Sequence, residues 1–243
     1  MKKIIQKMLS VFGYRISKLS QPPVGEDAFA AMKRLVSDVD EPIIFDVGAH
    51  HGHTSISFKN HFPTSIIYSF EPFDESFSRL KLNTQHDSGI KVFNFGLSDQ
   101  QGIQSFNSNP SSETNSLLST DEHGSKTWGK GLLETRKIVK AQFKTIDQVM
   151  IEMNISKIDI LKLDVQGAEH LVINGAFDAC ANGSISVIYS EIITQPTYIN
   201  QKTFHDSLAL FHDNGFDLYN TYNANLTDEG RLRQLDVIFT KKT

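Results

Sequence analysis

Short apolar runs recur along this chain, separated by stretches whose apolar positions follow a helical period. Residues 43–47, 66–70, 90–94, 158–164 and 185–191 read as strands, and the first two are nearly unbroken apolar runs, the signature of strands buried on both faces of a parallel sheet. Residues 26–39, 54–60, 74–83, 145–153 and 203–214 read as helices, as does the stretch from 169 to 175. Thr145 is placed to cap the helix that follows it, and Gly215 to close the one before it. Strands alternating with helices from residue 26 onward predict an α/β fold of Rossmann-like form: a mostly parallel central sheet with helices on both faces. Two last strands at 219–222 and 235–240 form a hairpin-like ending with an antiparallel edge strand.

Two regions break this rhythm. Residues 100–140 are polar and rich in turn formers, as in Asn107-Ser108-Asn109-Pro110-Ser111-Ser112. They read as an inserted loop or hairpin excursion, a candidate acceptor lid, with 139–143 as an edge strand. Residues 1–25 carry Lys2, Lys3, Lys7, Arg15 and Lys18 and no acid, with Ile4, Ile5, Met8, Leu9, Phe12 and Ile16 at helical spacing. This basic amphipathic helix either docks on the domain or on a second subunit of a homo-oligomer, or touches an anionic membrane surface through residues 1–20. Gln21-Pro22-Pro23-Val24-Gly25 is its linker. Residues 26–243 are then one domain, a size at which α/β chains bury a full core.

Composition narrows the classes. Hydrophobic residues make up 39% and charged residues 21%, so a packed globular domain is expected. A formal net charge of -4 argues against a general nucleic-acid binder. The lone Cys180 permits no internal disulfide and fits a reducing compartment, the cytoplasm, with the inner membrane surface as the site of any N-terminal contact. No apolar run reaches the roughly 18 residues a membrane span needs.

The chemistry concentrates at strand ends. Asp46-Val47-Gly48-Ala49-His50-His51-Gly52-His53-Thr54-Ser55 reads as a strand end, a tight turn and a helix N-terminus. Glycines let a ligand approach the backbone, and a helix start offers N–H groups to a carboxylate or phosphate. His50 stands where a dinucleotide site needs its middle glycine, so that fingerprint fails. An acid at position 46 is suited to a ligand amino group. Glu71, about 25 residues further on at the next strand end, is suited to both hydroxyls of a ribose. Together they point to an adenosyl ligand, S-adenosylmethionine. The plain alternative is a strand–turn–helix whose glycines serve packing.

Asp164 and Glu191 end two further strands and point to the same crevice. Lys162 lies on the same strand face as Asp164 and needs an anionic partner, which Asp164 or Glu191 could provide. Glu169 falls in the first turn of a helix, where the dipole favours an anion. A structural ion pair and a helix cap are the competing readings of these residues. His50, His51 and His53 match no zinc spacing, and Asp164 with Glu191 falls short of a cation site, so no metal is assigned.

These elements resemble the FkbM-type methyltransferases, a family with the class I S-adenosylmethionine-dependent fold. The resemblance rests on residues 46–52, Phe70-Glu71-Pro72, Gly96-Leu97-Ser98-Asp99, Thr145-Ile146-Asp147 and above all Lys162-Leu163-Asp164-Val165-Gln166-Gly167-Ala168-Glu169, and spans roughly residues 40–240. It implies O-methylation of a hydroxyl, often on a sugar of a polysaccharide, glycolipid or glycosylated natural product. On that reading Gly48, Ala49, His50 and Gly52 line the methionine portion of the cofactor and Asp46 faces its amino group. Glu71 holds the ribose, and Ser98 and Asp99 border the adenine. Ser55 and Pro72 complete the cofactor set. Asp164 or Glu191 is the base, with Lys162 or Glu169 orienting it. A non-catalytic adenosyl-binding protein and a nicotinamide-dependent oxidoreductase are the alternatives.

Overall fold

The computed structural model describes residues 27–128 and 131–242. The basic segment expected over residues 1–25 lies outside them. The chain opens with α1 (Ala28–Leu35), then β1 (Ile43–Val47), α2 (His53–His61), β2 (Ile66–Phe70), α3 (Asp74–Thr84) and β3 (Ile90–Phe93). The short β4 (Gly96–Leu97) leads into β5 (Gly102–Ser108), α4 (Gly124–Trp128) and β6 (Lys137–Lys144). Next come α5 (Ile146–Glu152), β7 (Ile158–Leu163), α6 (Glu169–Asn174), α7 (Phe177–Ala181) and β8 (Ile185–Ile193). Helix α8 (Phe204–Asp213) precedes the closing hairpin of β9 (Phe216–Leu226) and β10 (Leu232–Lys241).

Seven strands form the central sheet in the order β3-β2-β1-β7-β8-β10-β9. The first five run parallel, and β10 and β9 are antiparallel, so the α/β sheet with an antiparallel edge is the one expected. Every residue of β7 is buried, which is why its sequence shows no alternation. One face packs Phe45, Phe70, Leu161, Ile188 and Phe239 into the larger core. The other packs Ile44, Ile67, Ile160 and Ile238 against Phe58 and Met32 of α2 and α1. Helix α5 starts at a capping box in which Thr145 and Gln148 each satisfy the other's backbone N–H.

One expectation is corrected. The strand over 139–143 is no edge of the main sheet. It is β6, the middle of a separate three-stranded sheet ordered β4-β6-β5. Its Ala141 and Phe143 bury against Phe73 and Phe106 while neighbouring Lys140 and Gln142 stay wet, so its apolar residues serve a small satellite core. The helix expected from 169 to 175 is α6, which Gly175 closes, and α7 follows it. A Cβ at Gly175 would sit 2.1 Å from the Ser98 carbonyl oxygen, so only glycine lets these two segments meet.

Candidate active site

Strand order reverses between β1 and β7, and ligands of open α/β sheets bind beyond the strand ends at such a point. A cavity of about 590 Å³ opens there, within the usual range for small-molecule sites. Gly48, Ala49 and His50 line it from the turn after β1, Glu71 and Pro72 from the end of β2, and Asp164 and Glu191 from the ends of β7 and β8.

The turn after β1 is held from within. Gly48 has φ +76°, and a Cβ there would lie 1.9 Å from the Asp164 carbonyl oxygen. Its glycine therefore serves the contact with β7. The N–H groups of Gly48 and Ala49 donate to the Phe70 carbonyl at 3.1 and 3.0 Å. Gly52 packs against Leu80 and Thr84 and is not part of the cavity wall. What faces the cavity is the start of α2: His53 and Thr54 line it, and no side chain caps that helix. Its first N–H groups are free for an anion.

Glu71 is 6% exposed. Its Oε2 accepts from the His50 N–H at 2.8 Å and its Oε1 from the Phe73 N–H at 2.9 Å, so it pins the glycine turn to β2. Burial pushes its carboxyl up to about 7 against the pull of those two donors. The His50 ring stacks on His51 at 3.6 Å, and its Nε2 lies 2.7 Å from Ser112 Oγ in the excursion. Burial and His51 push His50 down to about 4, so its imidazole is neutral at pH 7.

Several assigned residues stand apart from the cavity. Asp46 is fully buried: its Oδ1 pairs with Lys162 Nζ at 2.9 Å, and its Oδ2 accepts from Ser55 Oγ at 2.6 Å. Ser55 in turn meets Ser69 at 2.8 Å. Neither Asp46 nor Ser55, both expected beside the cofactor, is among the residues that line the cavity. Lys162 also donates to the Gly48 carbonyl at 2.9 Å and stands 3.7 Å from Asp164. Burial alone would lower its pKa, but Asp46 and Asp164 outweigh burial and raise it. The partner found is Asp46, because β1 and β7 align Asp46 directly with Lys162. Ser98 is buried under Gly175, and neither it nor Asp99 lines the cavity; Gly96 and Leu97 do. Glu169 faces its own loop, its Oε1 accepting from the Val165 and Gly167 N–H groups at 3.1 and 3.2 Å. It caps that turn and lies outside the cavity wall.

The Asp164–Glu191 pair stands at one end of the cavity. Gln166 Nε2 donates to both, at 2.9 Å to Asp164 Oδ1 and 3.1 Å to Glu191 Oε2. Gln234 Nε2 donates to Glu191 Oε1 at 2.6 Å. Burial, then the charges of Asp164 and Asp236, raise the Glu191 pKa well above an ordinary carboxylate. A carboxylate so tuned suits proton abstraction near neutrality. Gln166 holds this pair with φ +55°, and Tyr198 Oη lies 3.2 Å from its Oε1 and 3.0 Å from the Thr114 carbonyl.

Sequence reasoning passed over Gln166, although it sits inside the motif that carries the resemblance. It also passed over Gln234, Arg233 and Trp128, which line the cavity from β10 and from the excursion. Arg233 lies 4.7 Å above the Trp128 ring. A single tryptophan in a polar, turn-rich stretch was the available signal.

A family model described as the methyltransferase FkbM domain matches residues 46–218. The 2-O-methyltransferase NoeI of Sinorhizobium fredii is 26% identical over 167 residues, covering 66% of this chain and 67% of that protein. Methyltransferase sdnD of Sordaria araneosa is 27% identical over 184 residues, covering 67% of this chain and 71% of that one. Among solved structures, methyltransferase FkbM from Methylobacillus flagellatus aligns with a TM-score of 0.51 at 12% identity. That alignment covers 89% of this chain and 48% of the other, so this chain spans about half of that relative's length. The likeness shows the shared fold.

Proposed function

This chain belongs to the FkbM methyltransferase family, and from that premise we propose that it transfers a methyl group from S-adenosylmethionine to a hydroxyl, that of a sugar in a glycan, glycolipid or glycosylated natural product. The carrying observation is the pairing, in one cavity, of a ribose-suited carboxylate at Glu71 with a raised-pKa carboxylate at Glu191.

The residues present fit the cofactor. Glu71 would hold the ribose hydroxyls, and the open N-terminus of α2 at His53 and Thr54 would take the carboxylate of the methionine portion. Gly48 and Ala49 would lie along that portion, and Gly96 and Leu97 beside the adenine. When bound, the cofactor supplies an electrophilic methyl: the acceptor oxygen bonds to that carbon, and sulfur keeps the electron pair of the broken C–S bond. Glu191 takes the hydroxyl proton. Asp164 is the neighbouring charge that keeps Glu191 basic, and Gln166 and Gln234 fix its orientation.

The test is transfer of labelled methyl from S-adenosylmethionine to a glycan extract of the source organism. Glu191→Gln should lower the rate by roughly 10²–10⁴ while leaving S-adenosylhomocysteine affinity in place. Glu71→Ala should weaken that affinity by roughly 10-fold or more, the loss of hydrogen bonds to a charged group. Absence of S-adenosylhomocysteine binding by the unaltered protein in calorimetry, or full transfer by Glu191→Gln, refutes the reading.

A further inference from the structure

Beside the large cavity lies a second one of about 280 Å³. His53, Thr54, Asp164 and Glu191 line both, so the two carboxylates stand in the partition between them. The smaller chamber's own walls include Phe29 of α1, Ser57 of α2, Tyr189 of β8 and Asp236 of β10. Register explains their convergence. Tyr189 and Glu191 are two apart on one strand, and Asp236 pairs with Glu191, so all three share the sheet face that α1 and α2 cover.

We infer that this smaller chamber is the acceptor subsite and that it takes one uncharged or amino-bearing polyhydroxylated ring. The inference rests on Glu191 being the base in a methyl-transfer site, and it adds where the acceptor sits and which acceptors are refused. In-line displacement needs the attacking oxygen and the leaving sulfur on opposite sides of the methyl carbon. Chambers on either side of one partition impose that approach, whereas an undivided cavity would leave it to chance.

Charge sets the class. Asp164, Glu191 and Asp236 all face the chamber, while among the described residues the lysine in its wall is Lys162, which pairs with Asp46 and is bonded to the Gly48 carbonyl. An anionic ring would meet Glu191 and Asp236, which no cation among the described residues pairs, and Asp164, which shares Lys162 with Asp46. Hydroxyl or ammonium donors would satisfy them. Tyr189 Oη and Asn223 Nδ2 donate to the same oxygen of Asp236, Oδ2, at 2.6 and 2.7 Å. Its Oδ1 has no hydrogen-bond partner among the described residues and is left to accept. Phe29 and Tyr189, 6.3 Å apart, give an apolar wall for the C–H edge of a ring. The 280 Å³ volume equals about nine waters at ~30 Å³ each, on the scale of a single sugar ring.

Saturation-transfer NMR on the full chain, saturated with S-adenosylhomocysteine, tests this. The probes are methyl glucoside, methyl rhamnoside, methyl glucosaminide and methyl glucuronide. At least one neutral or amino ring should give signals, with the glucuronide roughly tenfold weaker or silent. Ser57→Trp, which fills the smaller chamber alone, should abolish those signals with S-adenosylhomocysteine affinity held within about twofold. Asp236→Asn should narrow the gap between glucoside and glucuronide. Silence from every neutral and amino ring, signals that survive Ser57→Trp, or a glucuronide that binds as well as the others overturns the proposal. Failure of the unaltered protein to bind S-adenosylhomocysteine would instead remove the reading on which it rests.

Discussion

Lys162 carries a positive charge through a strand with no exposed residue, and four acceptors meet it: Asp46, the Gly48 carbonyl and, at longer range, the Val47 carbonyl and Asp164. A buried pair contributes little net stability when whole and costs much when halved. Lys162→Met should therefore cost about 3–5 kcal/mol by leaving Asp46 charged and unpaired. At roughly 2–4 °C per kcal/mol for a chain of this length, the fall in Tm is easy to read in a thermal melt. Adding Asp46→Asn to Lys162→Met should recover part of it, and additive losses would show that the two side chains do not work as a pair. The sequence made the need for a partner plain but not which acid would fill it. That choice depends on strand register: Asp46 faces Lys162 only because β1 lies beside β7, an adjacency absent from either strand's own residues. Asp46, Ser55 and Lys162 are all buried, and of the three only Lys162 lines either cavity, the smaller one. Glu71, Asp164 and Glu191 were legible because a strand-end acid at a switch point has one crevice to face.

Elements with a clear period were read nearly to their ends, whereas the segment between β5 and β6 had no period to read. Its residues act through distant partners. Ser112 meets His50, Ser116 Oγ donates to the Gln166 carbonyl at 2.8 Å, and Trp128 Nε1 donates to Thr197 Oγ1 at 2.8 Å. None of these contacts leaves a local trace in composition, so the cavity's outer wall was visible only as a polar interruption. Tyr198 ties this wall to the Asp164–Glu191 end of the cavity, since its hydroxyl sits between the Thr114 carbonyl and Gln166 Oε1. Tyr198→Phe leaves these buried acceptors without that donor and should cost about 1–3 kcal/mol. It also frees Gln166 to turn from Asp164 and Glu191, so the transfer rate should fall with S-adenosylhomocysteine affinity nearly unchanged. A melt and a rate both indistinguishable from the unaltered protein would show that the excursion is not coupled to the carboxylates through this hydroxyl.

Across the whole molecule, a mostly parallel sheet with helices on both faces followed from the alternating runs, and what the runs could not convey is the strand order and how burial sets charge. Burial first of all raises Glu71 and Glu169 to about 7 and Glu191 well above an ordinary carboxylate. Between the unfolded value of about 4.3 and those raised values the folded chain keeps protons that the unfolded chain has released. Stability therefore falls as pH climbs through that window. Burial also lowers His50 to about 4, and lowers His51 and His170. Below their unfolded value of about 6.5 the unfolded chain holds the extra protons, so this set makes stability rise with pH. The two sets oppose each other from about pH 4.5 to 6.5, and only the carboxyls go on titrating above it. Tm should thus be nearly level across that range and decline from about pH 6.5 to 8. Glu191→Gln removes a carboxyl raised well above the ordinary range, so its Tm at pH 8 should exceed that of the unaltered protein even as methyl transfer collapses. In the proposed mechanism an ionised Glu191 accepts the proton, and that is the form burial and its acidic neighbours disfavour, a trade of stability for chemistry common at active sites. Scanning calorimetry of both proteins at pH 5, 6.5 and 8 decides it. A Tm that rises from pH 6.5 to 8, or a Glu191→Gln variant that melts lower than the unaltered protein at pH 8, would show that Glu191 is not held in a disfavoured charged state.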